Sequence, residues 1–278
     1  MNKNPKISVL TPIFNTNPEY LKQMIESILN QSFKDFEFIL LNDSPENTEI
    51  EAIVKNYDDE RIKYYKNEQN TGISASRNKL LHLAKGEYIA IFDHDDISMP
   101  LRLEKQAEYL DKHPQTGVVG CNYKTIYSNK TTNFPCNNSD IKKELVIMGL
   151  VIVHSGSMIR KSVLIENNIF WEKEYSPCED YMLWARLIDK TVFHNLEEVL
   201  LLYRDSKNNT TNLQAEKMAD CTERIKNFLH KEYPYYRNLC SKNSYIYLFG
   251  LPFIKKQCRG NTVKYFLFGI IPFLKEVK

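Results

Sequence analysis

The chain has 278 residues, of which 42% are hydrophobic and 26% charged, a composition that supports a sizeable buried core and excludes wholesale disorder. The net charge of +2 argues against a dedicated nucleic-acid binder, so no nucleic acid is expected among the partners. The basic charge is concentrated at the end of the chain, because residues 251–278 hold six cations and one anion.

The first hundred residues alternate predicted strands with predicted helices. Strands are expected at residues 6–11, 36–41, 61–65 and 88–92, and helices are expected from Asn17-Pro18, up to about Tyr57, and from about Gly72. Asparagine followed by proline is typical of a helix N-terminus. Alternation of this kind is typical of an α/β fold with a Rossmann-like, mostly parallel sheet flanked by helices.

The alternation weakens after about Pro135, where helices and short strands are expected. We predict a domain over residues 1–205, with functional halves at 1–100 and 101–205. A helical, basic and amphipathic C-terminal extension is expected over residues 206–278.

Polar residues follow three of the predicted strands, at Phe14-Asn15, at Asp43, and at Asp93 with Asp95. In open α/β sheets, ligands bind beyond the carboxyl ends of the strands. These residues are therefore expected to converge on one ligand site.

Asp93 and Asp95 form a carboxylate pair with a spacing of two residues. If strand geometry continues through them, both side chains share one face while His94 and Asp96 point to the other. Adjacent carboxylates repel each other unless a cation lies between them or one is protonated, and oxygen-only ligands favour Mg²⁺ or Mn²⁺. The alternative is a solvated acidic turn that closes a strand.

Five segments occur in a characteristic order: Ile7–Asn15, Leu41–Ser44, Asn70–Asn78, Gly86–Asp96 and Glu179-Asp180. Together they resemble the motifs of the family 2 inverting glycosyltransferases with the GT-A fold, over roughly residues 6–205. The resemblance implies a nucleotide-sugar donor, Mn²⁺ or Mg²⁺ as cofactor, and inversion at the anomeric carbon. It also implies that residues 1–100 bind the nucleotide sugar and residues 101–205 the acceptor.

The resemblance assigns the donor-binding residues as well. It places Pro12, Phe14 and Asn15 against the nucleotide base and Asp43 as the hydrogen-bond acceptor for uracil. In this chain Asn42 and Ser44 replace the family's first Asp and its Gly around Asp43, which weakens the motif.

The same resemblance covers the diphosphate side of the donor. Arg77 is expected near the base and diphosphate, with an exposed helix arginine as the alternative. Asp93 resembles the residue that contacts the ribose and shares the metal, and Asp95 resembles the metal ligand.

Glu179 and Asp180 are the candidate catalytic carboxylates, at the start of a predicted helix. Neighbouring residues diverge by about 100° around a helix, so only one of them can face the sugar. Acidic residues in a first helical turn are also ordinary partners of the helix dipole. The resemblance favours Asp180 as general base, with Glu179 contacting the acceptor or supporting the loop, and the reverse assignment stays open.

Two later positions are open to more than one interpretation. His154 matches a position where relatives often carry His, and either donor binding or a structural role fits it. The family's Tyr-Arg-x-His segment occurs here as Tyr203–Ser206 without the His, so Arg204 or Lys207 would have to compensate electrostatically.

Six scattered cysteines without a Cys-x-x-Cys pair indicate neither a zinc site nor a disulfide framework. The N-terminus shows no signal-like apolar segment, and the uncharged apolar runs are shorter than the roughly 18 residues of a membrane span. A cytoplasmic location is therefore expected.

We predict a metal-dependent inverting glycosyltransferase that moves a sugar from a nucleotide sugar to a glycan or lipid-linked acceptor. UDP is favoured only through Asp43, and the expected pathway is synthesis of bacterial lipooligosaccharide, capsule or another surface polysaccharide. The alternatives are an inactive sugar-binding or scaffold protein and a nucleotidyltransferase. The latter normally has a glycine-rich basic phosphate loop near its N-terminus, and this chain has none.

The tail contains a repeat, since the segment from Leu248 to Lys255 returns as the segment from Leu267 to Lys275. Each copy places large apolar residues beside lysines, and Gly and Pro interrupt any long helix. Two short amphipathic segments are expected, which would attach the protein peripherally to the anionic inner face of the cytoplasmic membrane. The alternative is that these residues pack on the catalytic domain.

Overall fold

The computed structural model describes residues 4–147, 149, 151–206 and 213–236, together with the backbones of four strands between residues 243 and 277.

One sheet of eight strands organises the first 205 residues. The strands are β1 (Ile7–Ile13), β2 (Phe36–Asn42), β3 (Ile62–Lys66), β4 (Tyr88–Ile91), β5 (Ile97–Ser98), β6 (Thr116–Thr125), β7 (Met158–Arg160) and β8 (Val192–Tyr203). Their order is β3-β2-β1-β4-β7-β6-β8-β5. Strands β1 to β4 are mutually parallel where they pair, β7 runs antiparallel to β4 and β6, and β6 and β8 are again parallel.

Helices lie between the strands and cover the sheet. They are α1 (Pro18–Leu29), α2 (Thr48–Lys55), α3 (Ile73–Leu83), α4 (Arg102–Lys112), α5 (Asn138–Ile147), α6 (Lys161–Glu166), α7 (Glu179–Leu187) and α8 (Ala215–Glu232). The predicted start of α1 is confirmed, because the Asn17 side chain accepts a hydrogen bond from the Glu19 amide at 2.8 Å and Pro18 is the first helical residue.

The core has two layers because the sheet is buried on both faces. Val9 of β1 packs in a cluster with residues of α1, α2 and α4, whereas Leu10 packs in a second cluster with residues of α3, α5 and α7. Successive strand residues point to opposite faces, so a sheet covered on both sides reads as a continuous apolar run. The predicted α/β fold is confirmed, and it brings the carboxyl ends of β1, β2 and β4 to one edge.

The C-terminal region differs from the helical extension expected over residues 206–278. Helix α8 is present, but its residues Cys221, Ile225 and Leu229 are buried in the same cluster as α7. The core built on the eight-stranded sheet therefore continues past residue 205.

Beyond α8 the backbone forms a separate antiparallel sheet of four strands in the order β12-β11-β10-β9. Its strands are β9 (Asn243–Leu248), β10 (Leu251–Arg259), β11 (Thr262–Leu267) and β12 (Ile271–Val277). Aromatic and β-branched residues favour strands, and the Gly and Pro positions that break a helix are tolerated at strand ends and turns. Each copy of the sequence repeat runs from the end of one strand into the next. The predicted amphipathic contacts of this tail lie outside the described side chains.

No helix in the described part of the chain is both long enough and apolar enough to cross a membrane.

Candidate active site

The acidic segment after β4 is a turn. Strand β4 ends at Ile91, and His94 and Asp95 are turn residues, so the condition for Asp93 and Asp95 to share one strand face is not met. The Asp93 amide donates to Ser155 Oγ at 3.0 Å, which fixes the start of the turn. Asp93 and Asp95 remain partly exposed, whereas Asp96 is completely buried. The carboxylates of Asp93 and Asp95 therefore remain accessible to solvent, whereas that of Asp96 is buried in the protein.

Like charges crowd this turn. Burial raises the pKa of the Asp95 carboxyl, and the charge of Asp93 raises it further against the opposing effect of His94. Burial, followed by the charges of Asp95 and Asp93, holds the pKa of Asp96 well above its ordinary value. A bound cation would relieve this repulsion.

Asp93 and Asp95 fit a hard divalent cation by the chemistry of their donor atoms, which are carboxylate oxygens only. Among the described residues, no group of three or more His, Cys, Asp or Glu side chains forms a complete cage for a metal. Mg²⁺-like ions typically bind through one or two carboxylates and complete their coordination with substrate phosphates and water. The arrangement therefore suits an ion that arrives with a phosphate-bearing ligand.

Arg77 of α3 connects this turn to α7. Its side chain is 8% exposed, and it donates from Nη2 to Asp93 Oδ1 at 3.0 Å and from Nη1 to Glu179 Oε1 at 2.6 Å. Burial acts to lower the pKa of Arg77, but the charges of Asp93, Glu179 and Asp180 together outweigh it and raise the pKa. The exposed-helix alternative for Arg77 is wrong, because this arginine is a buried bridge between two acidic segments.

The two candidate catalytic carboxylates occupy different environments at the start of α7. Glu179 is 5% exposed and is paired with Arg77. Asp180 is less buried, and its Oδ1 accepts a hydrogen bond from the Tyr181 amide at 2.7 Å. Burial and the charge of Glu179 raise the pKa of Asp180 to about 6, with Arg77 acting in the opposite direction. Asp180 can therefore exchange a proton near neutral pH.

Pro12, Phe14 and Asn15 lie at the carboxyl end of β1. Pro12 is buried within β1, Phe14 is 49% exposed, and Asn15 has a positive φ of 43°. The Asn15 amide donates to Ser44 Oγ at 3.1 Å, so the segments after β1 and β2 meet here as predicted.

Asn42 and Ser44, the departures from the family motif, form a turn of their own. Asn42 Oδ1 accepts hydrogen bonds from the amide and the hydroxyl of Ser44, both at 2.9 Å. The departures thus preserve a hydrogen-bonded turn around Asp43.

Asp43 is buried at the same edge and holds the loop before α3. Its Oδ1 accepts from Asn67 Nδ2 at 2.6 Å and from the amide and hydroxyl of Thr71 at 2.9 and 3.0 Å. Its Oδ2 accepts from the Gly72 amide at 2.9 Å. Gly72 has a φ of 85°, a conformation that favours glycine. Asp43 therefore supports the loop that leads to Arg77, a contact that the sequence does not reveal.

His154 is buried beside two tryptophans. Its Nε2 accepts a hydrogen bond from Trp171 Nε1 at 3.0 Å, and its ring lies 5.8 Å from that of Trp184. Burial and the charge of Arg77 hold the pKa of His154 well below its ordinary value, so the ring is neutral. These contacts explain a structural role, which was one of the two open alternatives.

Arg102, at the start of α4, is a further functional candidate that sequence reasoning missed. It is completely buried and donates from Nη1 to the carbonyl oxygens of Ile91 at 3.3 Å and Ser155 at 3.4 Å. Burial lowers its pKa to about 10. It therefore places a cation beneath the acidic turn, and no spacing in the sequence indicates this contact.

The segment Tyr203–Ser206 also reaches the turn, because Arg204 Nε lies 2.6 Å from the carbonyl oxygen of Asp95. Arg204 is 4% exposed, so its guanidinium is committed to protein contacts at this point. Lys207, the other candidate to compensate for the missing His, lies outside the described residues.

Comparisons with known proteins match this chain to glycosyltransferases. Residues 8–167 match the family described as Glycosyl transferase family 2. An uncharacterized glycosyltransferase of Methanocaldococcus jannaschii is 36% identical over 210 residues, covering 72% of this chain and 71% of the relative. An uncharacterized glycosyltransferase of Haemophilus influenzae is 29% identical over 247 residues, covering 81% of this chain and 73% of the relative.

Solved structures share the fold at low sequence identity. S. aureus TarS 1–349 matches with a TM-score of 0.64 at 19% identity, covering 79% of this chain and 64% of the TarS chain. The same TarS fragment has been solved in complex with UDP-GlcNAc. The mannosyltransferase PcManGT of Pyrobaculum calidifontis, in complex with GDP-Man and Mn²⁺, matches with a TM-score of 0.57 at 15% identity, covering 77% of this chain and 61% of that chain. These likenesses establish the GT-A fold.

Proposed function

The chain belongs to glycosyltransferase family 2, and we propose that it transfers a sugar from a UDP-sugar to a glycan or lipid-linked acceptor with inversion at the anomeric carbon. The observation that carries the proposal is the Arg77 bridge, which joins Asp93 of the acidic turn to Glu179, next to Asp180. A transferase of this kind needs a site for the donor diphosphate and, close to it, a base for the acceptor. The bridge holds the two sets of carboxylates in one site.

Donor binding is proposed at the edge formed by the ends of β1 and β2. Phe14 is exposed there, as a ring that stacks on a nucleotide base would be. Within the described part of the chain, Asp43 Oδ2 accepts one hydrogen bond, from Gly72, which leaves an acceptor position for the N–H of uracil. The UDP-GlcNAc complex of TarS supports a nucleotide-sugar donor.

Metal dependence is proposed at Asp93 and Asp95, with Mn²⁺ or Mg²⁺ as the ion. When bound there, the ion would neutralise charge on the departing diphosphate. The carboxylates have the oxygen chemistry that such ions need, and the Mn²⁺ complex of PcManGT supports the choice of metal. Arg77 keeps Asp93 oriented, and its own charge limits the repulsion between the acidic residues.

Asp180 is proposed as the general base. The acceptor oxygen attacks the anomeric carbon, its proton passes to an Asp180 carboxylate oxygen, and the bond to the nucleoside diphosphate breaks on the opposite face. A pKa of about 6 suits this role, because a base works best when its pKa lies near the operating pH.

Glu179 is less suited to the role of base, because one of its oxygens is paired with the permanently charged Arg77. Its other oxygen, Oε2, is buried without a hydrogen-bond partner among the described residues. We assign that oxygen to a hydroxyl of the acceptor. For His154 we propose a structural role near Arg77.

A panel of nucleotide sugars, with mass detection of donor hydrolysis in the presence of Mn²⁺, tests this function. We expect hydrolysis of at least one UDP-sugar that stops on addition of EDTA and is restored by Mn²⁺. Asp95→Asn should abolish hydrolysis, while Asp58→Asn, at an exposed residue after α2, should leave it unchanged. Cleavage of nucleoside triphosphates in place of nucleotide sugars would instead indicate a nucleotidyltransferase, and inertness toward the whole panel an inactive scaffold.

Peripheral attachment to an anionic inner membrane leaflet is proposed for residues 243–278, in surface-glycan synthesis on a lipid-linked acceptor. The segment from Leu251 onward is strongly basic, and the register of β11 and β12 sets Lys264 opposite Lys275. Basic residues contribute about 1 kcal/mol each to binding of an anionic leaflet.

A further inference from the structure

Arg204 lies at the point where the chain leaves β8 and makes two contacts with the acidic turn. Its Nε donates to the carbonyl oxygen of Asp95 at 2.6 Å, and its backbone amide donates to Asp96 Oδ1 at 2.9 Å. Both contacts reach the last half of the turn. Ser155 holds the first half through the amide of Asp93.

The guanidinium of Arg204 is itself held from three sides. It stacks over the Tyr20 ring with Cζ 3.9 Å from the ring centroid, and Nη2 donates to Gln23 Oε1 at 2.8 Å. Nη1 donates to the Tyr127 hydroxyl at 3.4 Å, and that hydroxyl lies 3.0 Å from the hydroxyl of Tyr20. Helix α1, the segment after β6 and the end of β8 therefore converge on one side chain.

We propose that Arg204 is a positioning residue that sets the location of the Asp95 carboxylate for metal binding. The inference rests on the proposed function of Asp95 as a metal ligand. The two arginines hold different parts of the turn, since Arg77 bonds the side chain of Asp93 and Arg204 bonds the main chain of Asp95. A carboxylate ligand is placed both by its own torsions and by the backbone that carries it, and partners outside the first coordination shell determine that placement.

The guanidinium is the side chain that suits this position. Its planar fork bonds several acceptors in different directions while its face stacks on an aromatic ring. A lysine ammonium is a point charge and cannot keep the bonds to Asp95 and Gln23 together with the stacking on Tyr20. An Arg204→Lys variant would keep the positive charge and the backbone bond to Asp96 while losing the fixed position of the turn. If Arg204 acted only through its positive charge, this lysine variant would behave like the wild type.

The test combines two measurements on the full chain. Hydrogen exchange of the segment 92–99 is followed without metal, and Mn²⁺ binding in the presence of UDP is followed by the electron paramagnetic resonance of free Mn²⁺. We expect faster exchange in that segment and a Mn²⁺ dissociation constant roughly 10- to 100-fold higher in Arg204→Met and Arg204→Lys. The matched control is Arg61→Met, because Arg61 also stacks on a ring, that of Phe36, and bonds a carbonyl, that of Leu29.

Unchanged exchange, or unchanged Mn²⁺ affinity in a variant with faster exchange, would overturn the inference. If Arg61→Met changes the exchange and the Mn²⁺ affinity as much as the Arg204 variants do, the effect is a general loss of stability and the inference is also overturned. If both Arg204 variants fail to fold, Gln23→Met decides, because it keeps Arg204, removes the bond to Nη2 together with the exposed bond from Gln23 to Glu19, and should give the same changes more weakly. A wild type that binds UDP but no Mn²⁺ would refute the proposed metal dependence, and with it this inference, whatever the exchange shows.

Discussion

Arg77 Nη1 and Glu179 Oε1 lie 2.6 Å apart, although the two residues are 102 positions apart in the chain. The pair is buried, and the second terminal nitrogen of Arg77 bonds Asp93. Through Arg77, helix α3 therefore connects the start of α7 with the turn after β4. This one guanidinium therefore contacts both the segment of the proposed base and the turn of the proposed metal site.

Loss of Arg77 should cost both stability and activity. Arg77→Met leaves Glu179 as a buried carboxylate without its cation, and breaking a buried pair in this way typically costs about 3–5 kcal/mol. The free energy of unfolding, measured by urea titration, checks the magnitude. The double variant Arg77→Met with Glu179→Gln should recover part of the loss, since no unpaired charge remains. A double variant that is no more stable than Arg77→Met would contradict this explanation.

Asp95→Ala should abolish metal-dependent binding of UDP. The remaining carboxylate, Asp93, is already bonded to Arg77 and cannot hold the ion and the diphosphate alone. Calorimetric titration with UDP, in Mn²⁺ and then in EDTA, measures the effect. Wild-type affinity that is the same in Mn²⁺ and in EDTA would show that the turn does not bind metal.

Asp180→Asn should retain donor binding and lose turnover by roughly 10² or more, the usual magnitude for removal of a general base. Calorimetry measures the donor affinity and product formation measures the turnover. Glu179→Gln is the matched comparison, and it should lower turnover less. If turnover survives in Asp180→Asn and is lost in Glu179→Gln, the base is Glu179.

The pH dependence of kcat/KM should report the titration of Asp180. Only the deprotonated carboxylate accepts a proton, so kcat/KM should fall as the pH drops below about 6. Glu179→Gln removes a negative charge that raises the pKa of Asp180, so the fall should move to lower pH. Arg77→Met removes the charge that lowers it, so the fall should move to higher pH. A profile that stays in place in both variants would mean that another group controls it.

Truncation after Tyr236 should leave donor hydrolysis nearly intact and abolish binding to anionic liposomes. The cut follows α8, because α8 contributes to the core and its removal would destabilise the catalytic domain. Co-sedimentation with phosphatidylglycerol vesicles at low salt measures binding, and neutral phosphatidylcholine vesicles are the control. If the intact protein binds neither kind of vesicle, the attachment is disproved. If the truncated protein no longer folds, the tail belongs to the core.

Local sequence patterns are sufficient to predict the parallel half of the sheet, β1 to β4. Alternation of apolar runs with helix-start signals such as Asn17-Pro18 predicted β1 to β4 and the helices between them. Parallel strands covered on both faces place their carboxyl ends together, so the meeting of Asn15 with Ser44 followed from topology. These features depend on neighbours a few residues apart, which the sequence displays directly.

Contacts between distant segments were decided by the tertiary structure. The pairing of Arg77 with Glu179, the bond from Arg204 to Asp95 and the packing of His154 against Trp171 each join segments whose spacing follows no period. The secondary structure of the tail also depends on distant contacts. Its apolar segments, interrupted by Gly, are compatible with short amphipathic helices as well as with strands, and the pairing of β9 to β12 decides for strands. Local periodicity determines which elements form, whereas burial of a charged or polar group depends on which partner the folded chain brings to it.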